Sequence, residues 1–295
     1  MNRALLTWYA RRGRHDLPWR RDPTPYRVLV SEFMLQQTQV ERVIPIFDAF
    51  VLRFPDFETL AAAQAAEVVR AWRGLGYNTR AVRLQRVARA VVDRHEGRLP
   101  RERDALLALP GVGPYTASAI RAFAFDADDV ALDTNLRRIV HRVRFGLEIP
   151  PRASAREIDE AAGAMLARGR SFAWNSAMMD LGATVCTSRA PKCLLCPLRE
   201  RCAAAPVDGA NLAALREKGR SPGRPRFAET SRYARGRIVD FLRELPPGSA
   251  ISLLDLHSAL RPQLGTRELG EICDLVGGLE RDGVVHCADE QVRLA

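Results

Sequence analysis

Ala105-Leu106-Leu107-Ala108-Leu109-Pro110-Gly111-Val112-Gly113-Pro114-Tyr115-Thr116-Ala117-Ser118-Ala119-Ile120 decides how the rest of the chain is read. An apolar helix runs into a Pro-Gly-x-Gly-Pro turn, and a second helix starts immediately behind it. Glycine admits backbone conformations closed to other residues, and the free amides at the start of the following helix are natural phosphate donors. Gly111 and Gly113 are therefore candidate phosphate contacts, although a short Gly-x-Gly also serves as an ordinary connection between helices.

Upstream, apolar positions recur at helical spacing over 26–53 (Val28, Phe33, Leu35, Val40, Ile44, Phe47, Val51), and the pattern continues through 56–95 and 104–126. Prolines and glycines at 23–25, 55, 74–76, 97–100 and 150–151 punctuate these runs, so an all-α body with short connections and no internal repeat is expected. Residues 1–12 are basic and break their apolar stretch too early for a signal peptide, which predicts an amphipathic helix.

Of 295 residues, 47% are hydrophobic, enough for a sizeable core. No apolar run approaches the roughly 20 residues needed to span a bilayer, so a soluble, cytoplasmic protein is expected. Lys and Arg number 45 against 35 Asp and Glu, a formal net charge of +10 that favours a polyanionic partner.

Six cysteines in an intracellular chain argue against disulfides. Cys186, Cys193, Cys196 and Cys202 are separated by six, two and five residues, which puts four soft thiolates on one polar loop; Cys273 and Cys287 stand apart and acquire no role. Spacing alone leaves zinc and an iron-sulfur cluster open.

After Cys202 the composition shifts towards Ala, Pro, Gly and Arg, centred on Arg220-Ser221-Pro222-Gly223-Arg224-Pro225-Arg226. This predicts a linker over 206–230. Helical stretches follow at 232–245, 252–260 and 266–282, then two short strands around a polar turn within 284–294, a pattern that suggests a winged-helix-like module over 231–295. Such a module serves DNA or protein binding equally well, and packing or tethering no less.

Two carboxylates stand out. Glu32 lies in the apolar run Val28-Leu29-Val30-Ser31-Glu32-Phe33-Met34-Leu35, where burial would favour its protonated form and suit a general acid. Asp133, in Ala131-Leu132-Asp133-Thr134-Asn135-Leu136, precedes a periodic helix and reads as its N-cap.

The hairpin, the cysteine loop that follows Met178-Met179-Asp180-Leu181-Gly182-Ala183-Thr184-Val185, and the two carboxylates resemble the helix-hairpin-helix DNA glycosylases of the endonuclease III superfamily. Leu17-Pro18-Trp19-Arg20, Ser31 to Val40 with Gln36-Gln37-Thr38-Gln39, and Gly74-Leu75-Gly76-Tyr77 narrow the resemblance to its adenine-specific members over about residues 5–205. It implies a two-lobed body over 1–205, with a six-helix lobe at 21–129 and a cluster lobe made of 1–20 and 130–205. A four-iron four-sulfur cluster on the four cysteines would then present Arg189 and Lys192 to DNA.

By the same resemblance Glu32 protonates the adenine, Asp133 stabilises the sugar cation, and Tyr115 supports that site. Superfamily members that also cut the strand carry a Lys at position 115, whose amine forms a Schiff base; a phenol cannot, so base removal without efficient strand cleavage is implied. Gln37, Thr38 and Tyr77 would enter the duplex beside the partner base, and Trp19, Arg20 and Leu35 would line the adenine pocket. The implied partner is duplex DNA with adenine mispaired to 8-oxoguanine or guanine, bound by a monomer at the nucleoid.

This chain departs from the pattern in having too little sequence after the cluster for the Nudix-like domain that usually reads 8-oxoguanine. It also carries Ser176 in place of a longer amide or acid, Thr134 in place of Gly, and Asn78 in place of a second aromatic. A mismatch-specific thymine glycosylase of the same superfamily, or a catalytically silent iron-sulfur DNA-binding protein, are the alternatives; Gln36 to Gln39 speaks against the first and the paired carboxylates against the second.

Overall fold

A computed structural model describes residues 1–149, 151–218, 226–265 and 267–295. They are mainly helical, with one small sheet at the C-terminal end, and fall into two compact units. The first comprises Met1–Val28, Arg101–Ala108 and Val112–Pro222; the second comprises Leu29–Pro100, Leu109–Gly111 and Gly223–Ala295. The division places the second hairpin helix in the first unit. It also places the C-terminal module in the same unit as the helices of 29–100.

In the first unit, helices Asn2–Arg12, Thr134–Arg144, Ala155–Met165 and Ser171–Thr184 bury one apolar cluster around Leu5, Leu136, Ile139, Val140, Trp174, Met178 and Leu181. Sequence explains their ends. Asp133 caps Thr134–Arg144 by accepting from Leu136 N at 2.7 Å, and Ser154 with Glu157 forms a capping box on Ala155–Met165. Helices Thr134–Arg144 and Ser171–Thr184 approach closely at Gly182, where an added Cβ would stand 2.7 Å from Asn135 Cβ. Leu198 of the cysteine loop inserts into the same core, with Cys186, Cys196 and Cys202 packed against it.

The second unit is built on Val40–Arg53, Phe57–Ala62, Ala65–Ala71 and Thr79–His95. Phe47, Phe50, Leu60, Val68, Trp72, Leu84, Val87 and Val91 are all buried there, and Phe50 meets Trp72 edge-on at 5.8 Å. The module adds Ser231–Glu244, Leu253–Leu264 and Leu269–Arg281, with strands β1 (Ile251–Ser252), β2 (Val285–Ala288) and β3 (Gln291–Leu294). The sheet order is β1-β3-β2, antiparallel throughout, with Val285 opposite Leu294 and Ile251 opposite Val292. The expected hairpin is present, turned at Asp289 and Glu290, both of positive φ; β1 is an addition that two residues of sequence could not announce.

Within the expected linker a helix forms over Gly209–Lys218 and a single turn over Phe227–Glu229, while Arg220 to Pro225 lie outside the described residues.

Candidate catalytic centre and cysteine loop

In the hairpin, Gly111 sits at φ +83°, the left-handed region that glycine enters without strain, and Gly113 caps the helix Pro114–Ala124, whose first residue is the proline. Tyr115 on that helix's first turn is half-buried. It lines a cavity of about 470 Å³ within the first unit, together with Ser118, Leu132, Arg137 and Asp129.

Asp133 spends both carboxylate oxygens at the start of its helix: Oδ1 accepts from Leu136 N and Oδ2 from Asn135 Nδ2 at 2.8 Å. The helix dipole adds a favourable field for a negative group there. Asn135 in turn accepts from Arg138 at 2.9 Å, and Arg138 donates to the carbonyls of Gly182 and Cys186, each at 2.9 Å. A continuous chain of hydrogen bonds thus joins Asp133 to the first cysteine of the loop. Asn135 and Arg138 went unassigned in the sequence; their three-residue spacing on one helix face was the available signal.

Arg20 directs its guanidinium to Asp180, with contacts of 2.8 and 3.2 Å, and Arg14 joins from its backbone and Nε at 2.8 and 2.7 Å. Burial works to raise the Asp180 pKa, but the Arg20 and Arg14 contacts outweigh it and hold the carboxyl below its ordinary value. Arg20 therefore anchors the short helix Pro18–Arg21 and with it the buried Trp19. Ser176 is fully buried, and its hydroxyl has no hydrogen-bond partner among the described residues.

The four loop cysteines line one cavity with Arg142, Lys192 and Arg199. Arg142 donates to Cys186 Sγ at 3.5 Å and to Thr187 O at 2.8 Å, while Glu148 holds its other edge at 2.7 and 2.8 Å. The Val207 amide points at Cys193 Sγ, 3.4 Å away. Burial pushes the Cys196 thiol up to about 11, with the other three cysteines adding to the shift. Among the described residues no group of three or more His, Cys, Asp or Glu is placed so as to hold a metal ion. Soft thiols beside a guanidinium and an amide donor fit an anionic thiolate-ligated group. Arg189 and Lys192 are exposed on this loop.

In the second unit, Glu32 is buried on helix Pro25–Leu35 at 6% exposure, among Leu29, Val30, Phe33 and Met34 at 1% or less. Leu35 at the helix end is half-buried. Gln37 and Tyr77 both adopt positive φ, +56° and +45°, and Gln37 is exposed. Arg80, which the sequence reading passed over, fastens their two loops. It donates to the carbonyls of Phe33, Met34, Gln36, Leu75 and Gly76 and to Thr38 Oγ1. Burial brings its pKa down to about 10. Non-glycine residues in left-handed backbone recur at functional loops, where the surroundings must hold them in place.

The HhH-GPD superfamily of base excision DNA repair proteins matches residues 30–163. An adenine DNA glycosylase from Mycolicibacterium smegmatis is 41% identical over 99% of this chain and 94% of its own length. The adenine DNA glycosylase of Mus musculus is 40% identical over 76% of this chain, which spans 44% of that longer protein. Among solved structures, a thermostable thymine-DNA glycosylase superposes with a TM-score of 0.63 at 32% identity, covering 68% of this chain and 92% of that one. An endonuclease III–DNA complex shares the fold, with a TM-score of 0.59 at 22% identity, 71% of this chain and 94% of that one being covered.

Proposed function

Because this chain belongs to the adenine DNA glycosylases of the HhH-GPD superfamily, we propose that it hydrolyses the N-glycosidic bond of adenine mispaired with 8-oxoguanine or guanine, leaving an abasic site without cutting the strand. The observation that carries the reading is the contrast between its two carboxylates. Glu32 is buried on its helix at 6% exposure, withdrawn from bulk water where a carboxyl can pass a proton to a leaving base. Asp133 is half-exposed at a helix N-terminus with both oxygens oriented, suited to face a cationic sugar and to direct water.

Protonation of the adenine ring by Glu32 weakens the bond to C1′; departure of the base leaves an oxocarbenium-like sugar opposite the Asp133 carboxylate, and water adds there. Tyr115 offers a hydroxyl but no amine, so no imine with the sugar forms. Gln37, Thr38 and Tyr77 enter the stack beside the partner base, their loops braced by Arg80, which offsets part of the few kcal/mol that extrusion of the target costs. Trp19, Arg20 and Leu35 are each assigned to the extruded adenine, with Arg20 also bound to Asp180. Gly111 and Gly113 offer backbone amides to a phosphate.

Cys186, Cys193, Cys196 and Cys202 would hold a four-iron four-sulfur cluster, which supplies a rigid scaffold for the loop rather than chemistry at the sugar. Arg189 and Lys192 would then meet the DNA backbone. The site of action is nucleoid DNA in the cytoplasm, and one chain suffices. No described helix is long and apolar enough to cross a membrane.

Single-turnover assays on a duplex with an A:8-oxoguanine pair test the roles. Glu32→Gln should lose excision by several orders of magnitude with duplex affinity preserved, and Asp133→Asn should lose it by about 10²–10⁴-fold. Turnover by Glu32→Gln at the wild-type rate would remove Glu32 as the acid.

A further inference from the structure

A cleft of about 810 Å³ opens within the second unit where the C-terminal module meets the loops of Gln37–Gln39 and Gly74–Thr79. Six arginines stand on its walls against only two aspartates. Arg235 is engaged by Asp282, and Arg237 and Arg243 share Asp240. Arg42, Arg83 and Arg232 have no carboxylate partner among the described residues. Tyr77, Phe227 and Tyr233 lie between these cations on the same walls. Guanidiniums interleaved with aromatic faces match a nucleic-acid strand, whose phosphates and bases alternate in the same way.

The module is fastened at this point. Arg243, 6% exposed, donates to the Val69 carbonyl at 3.1 and 2.8 Å and to Asn78 Oδ1 at 2.8 Å; Arg70 returns a bond to the Leu245 carbonyl at 2.9 Å. Asn78, a departure from the aromatic expected after Tyr77, thus serves as an acceptor for the module. The exposed Arg232 donates to the Tyr77 hydroxyl, with its guanidinium carbon 5.2 Å from the Tyr77 ring centroid and 5.0 Å from that of Phe227.

We propose that the C-terminal module is a DNA-engaging part of the enzyme: the cleft takes the strand opposite the excised base, and Arg232 positions the Tyr77 ring while meeting a phosphodiester of that strand. The inference rests on Tyr77 entering the duplex, as assigned above. It gives the module a task other than tethering and makes Arg232 a positioning residue. Loss of its charge weakens the strand contact, and loss of its planar fork releases Tyr77.

The test uses the full-length protein, with Arg232→Ala, Arg232→Lys and, as a control, Arg261→Ala, an exposed arginine on helix Leu253–Leu264 away from the cleft. Binding to a duplex carrying an uncleavable adenine analogue opposite 8-oxoguanine is followed by anisotropy across a salt series. Stacking beside the partner base is followed by 2-aminopurine fluorescence. Arg232→Ala should weaken binding about tenfold, the loss of one charged hydrogen bond, and lower the salt slope by about one. Arg232→Lys should keep most of the affinity but lose the 2-aminopurine change, and Arg261→Ala should match wild type in both.

Equal weakening by Arg232→Ala and Arg261→Ala, or an unchanged salt slope in Arg232→Ala, would overturn the strand contact. An unaltered 2-aminopurine response in both Arg232 variants would overturn the positioning role. Neither measurement requires chemistry, so a wild-type protein that released no adenine would count against the excision reading alone.

Discussion

At position 115 the difference between removing a base and cutting a strand comes down to one functional group. Tyr115 already faces a cavity from the first turn of the hairpin helix, so Tyr115→Lys should place an amine there and produce a borohydride-trappable protein–DNA adduct that the parent lacks. Asp180 illustrates a different kind of dependence. Its pKa is lowered in the folded state, so the stability it contributes is present above the unfolded carboxylate value of about 3.9 and is lost as pH falls through the folded value. Asp180→Asn, which leaves Arg14 and Arg20 without their anion, should cost about 3–5 kcal/mol near neutrality. The gap in melting temperature from wild type should narrow as pH drops below about 4.

The residues whose roles were legible in the sequence are those that act locally: the glycines of a turn, the cap aspartate, the closely spaced cysteines. Arg80 and Arg243 were not legible, because their acceptors are carbonyls brought together from distant segments, and a buried arginine looks in sequence like any surface one. The ion pair between Arg20 and Asp180 was not legible either, because its partner lies 160 positions along the chain.

Among the elements, the contact between Thr134–Arg144 and Ser171–Thr184 carries the most consequence, since it sets both Asp133 and the start of the cysteine loop. A methyl at Gly182 would press on Asn135 and through it on Asp133. Gly182→Ala should therefore cost about 1–3 kcal/mol by overpacking and lower single-turnover excision more than duplex affinity. The reverse ranking would place the contact's role in binding. Helices of this unit were readable from periodicity and caps, whereas β1, two residues long, exists only because β3 offers it an edge. The helix Gly209–Lys218 within the expected linker shows how an Ala- and Arg-rich stretch supports helix as readily as coil.

Across the whole molecule, the two carboxylates belong to different compact units, Glu32 to the second and Asp133 to the first, while a formal net charge of +10 draws the chain to DNA. With a cluster bound by the four cysteines, its oxidative removal should lower both the melting temperature and duplex affinity, because the loop carrying Arg189 and Lys192 would lose its scaffold. Fold class and the module's outline followed from pattern. The basic cleft did not, since its walls come from segments about 150 residues apart. The measurement that bears most directly on the account is identification, by mass spectrometry, of the base released by the purified protein from duplexes with A:8-oxoguanine, A:G, T:G and A:T pairs. Free adenine from the first two, with the strand left intact, is the predicted result; thymine from T:G, or no base from any duplex, would contradict it.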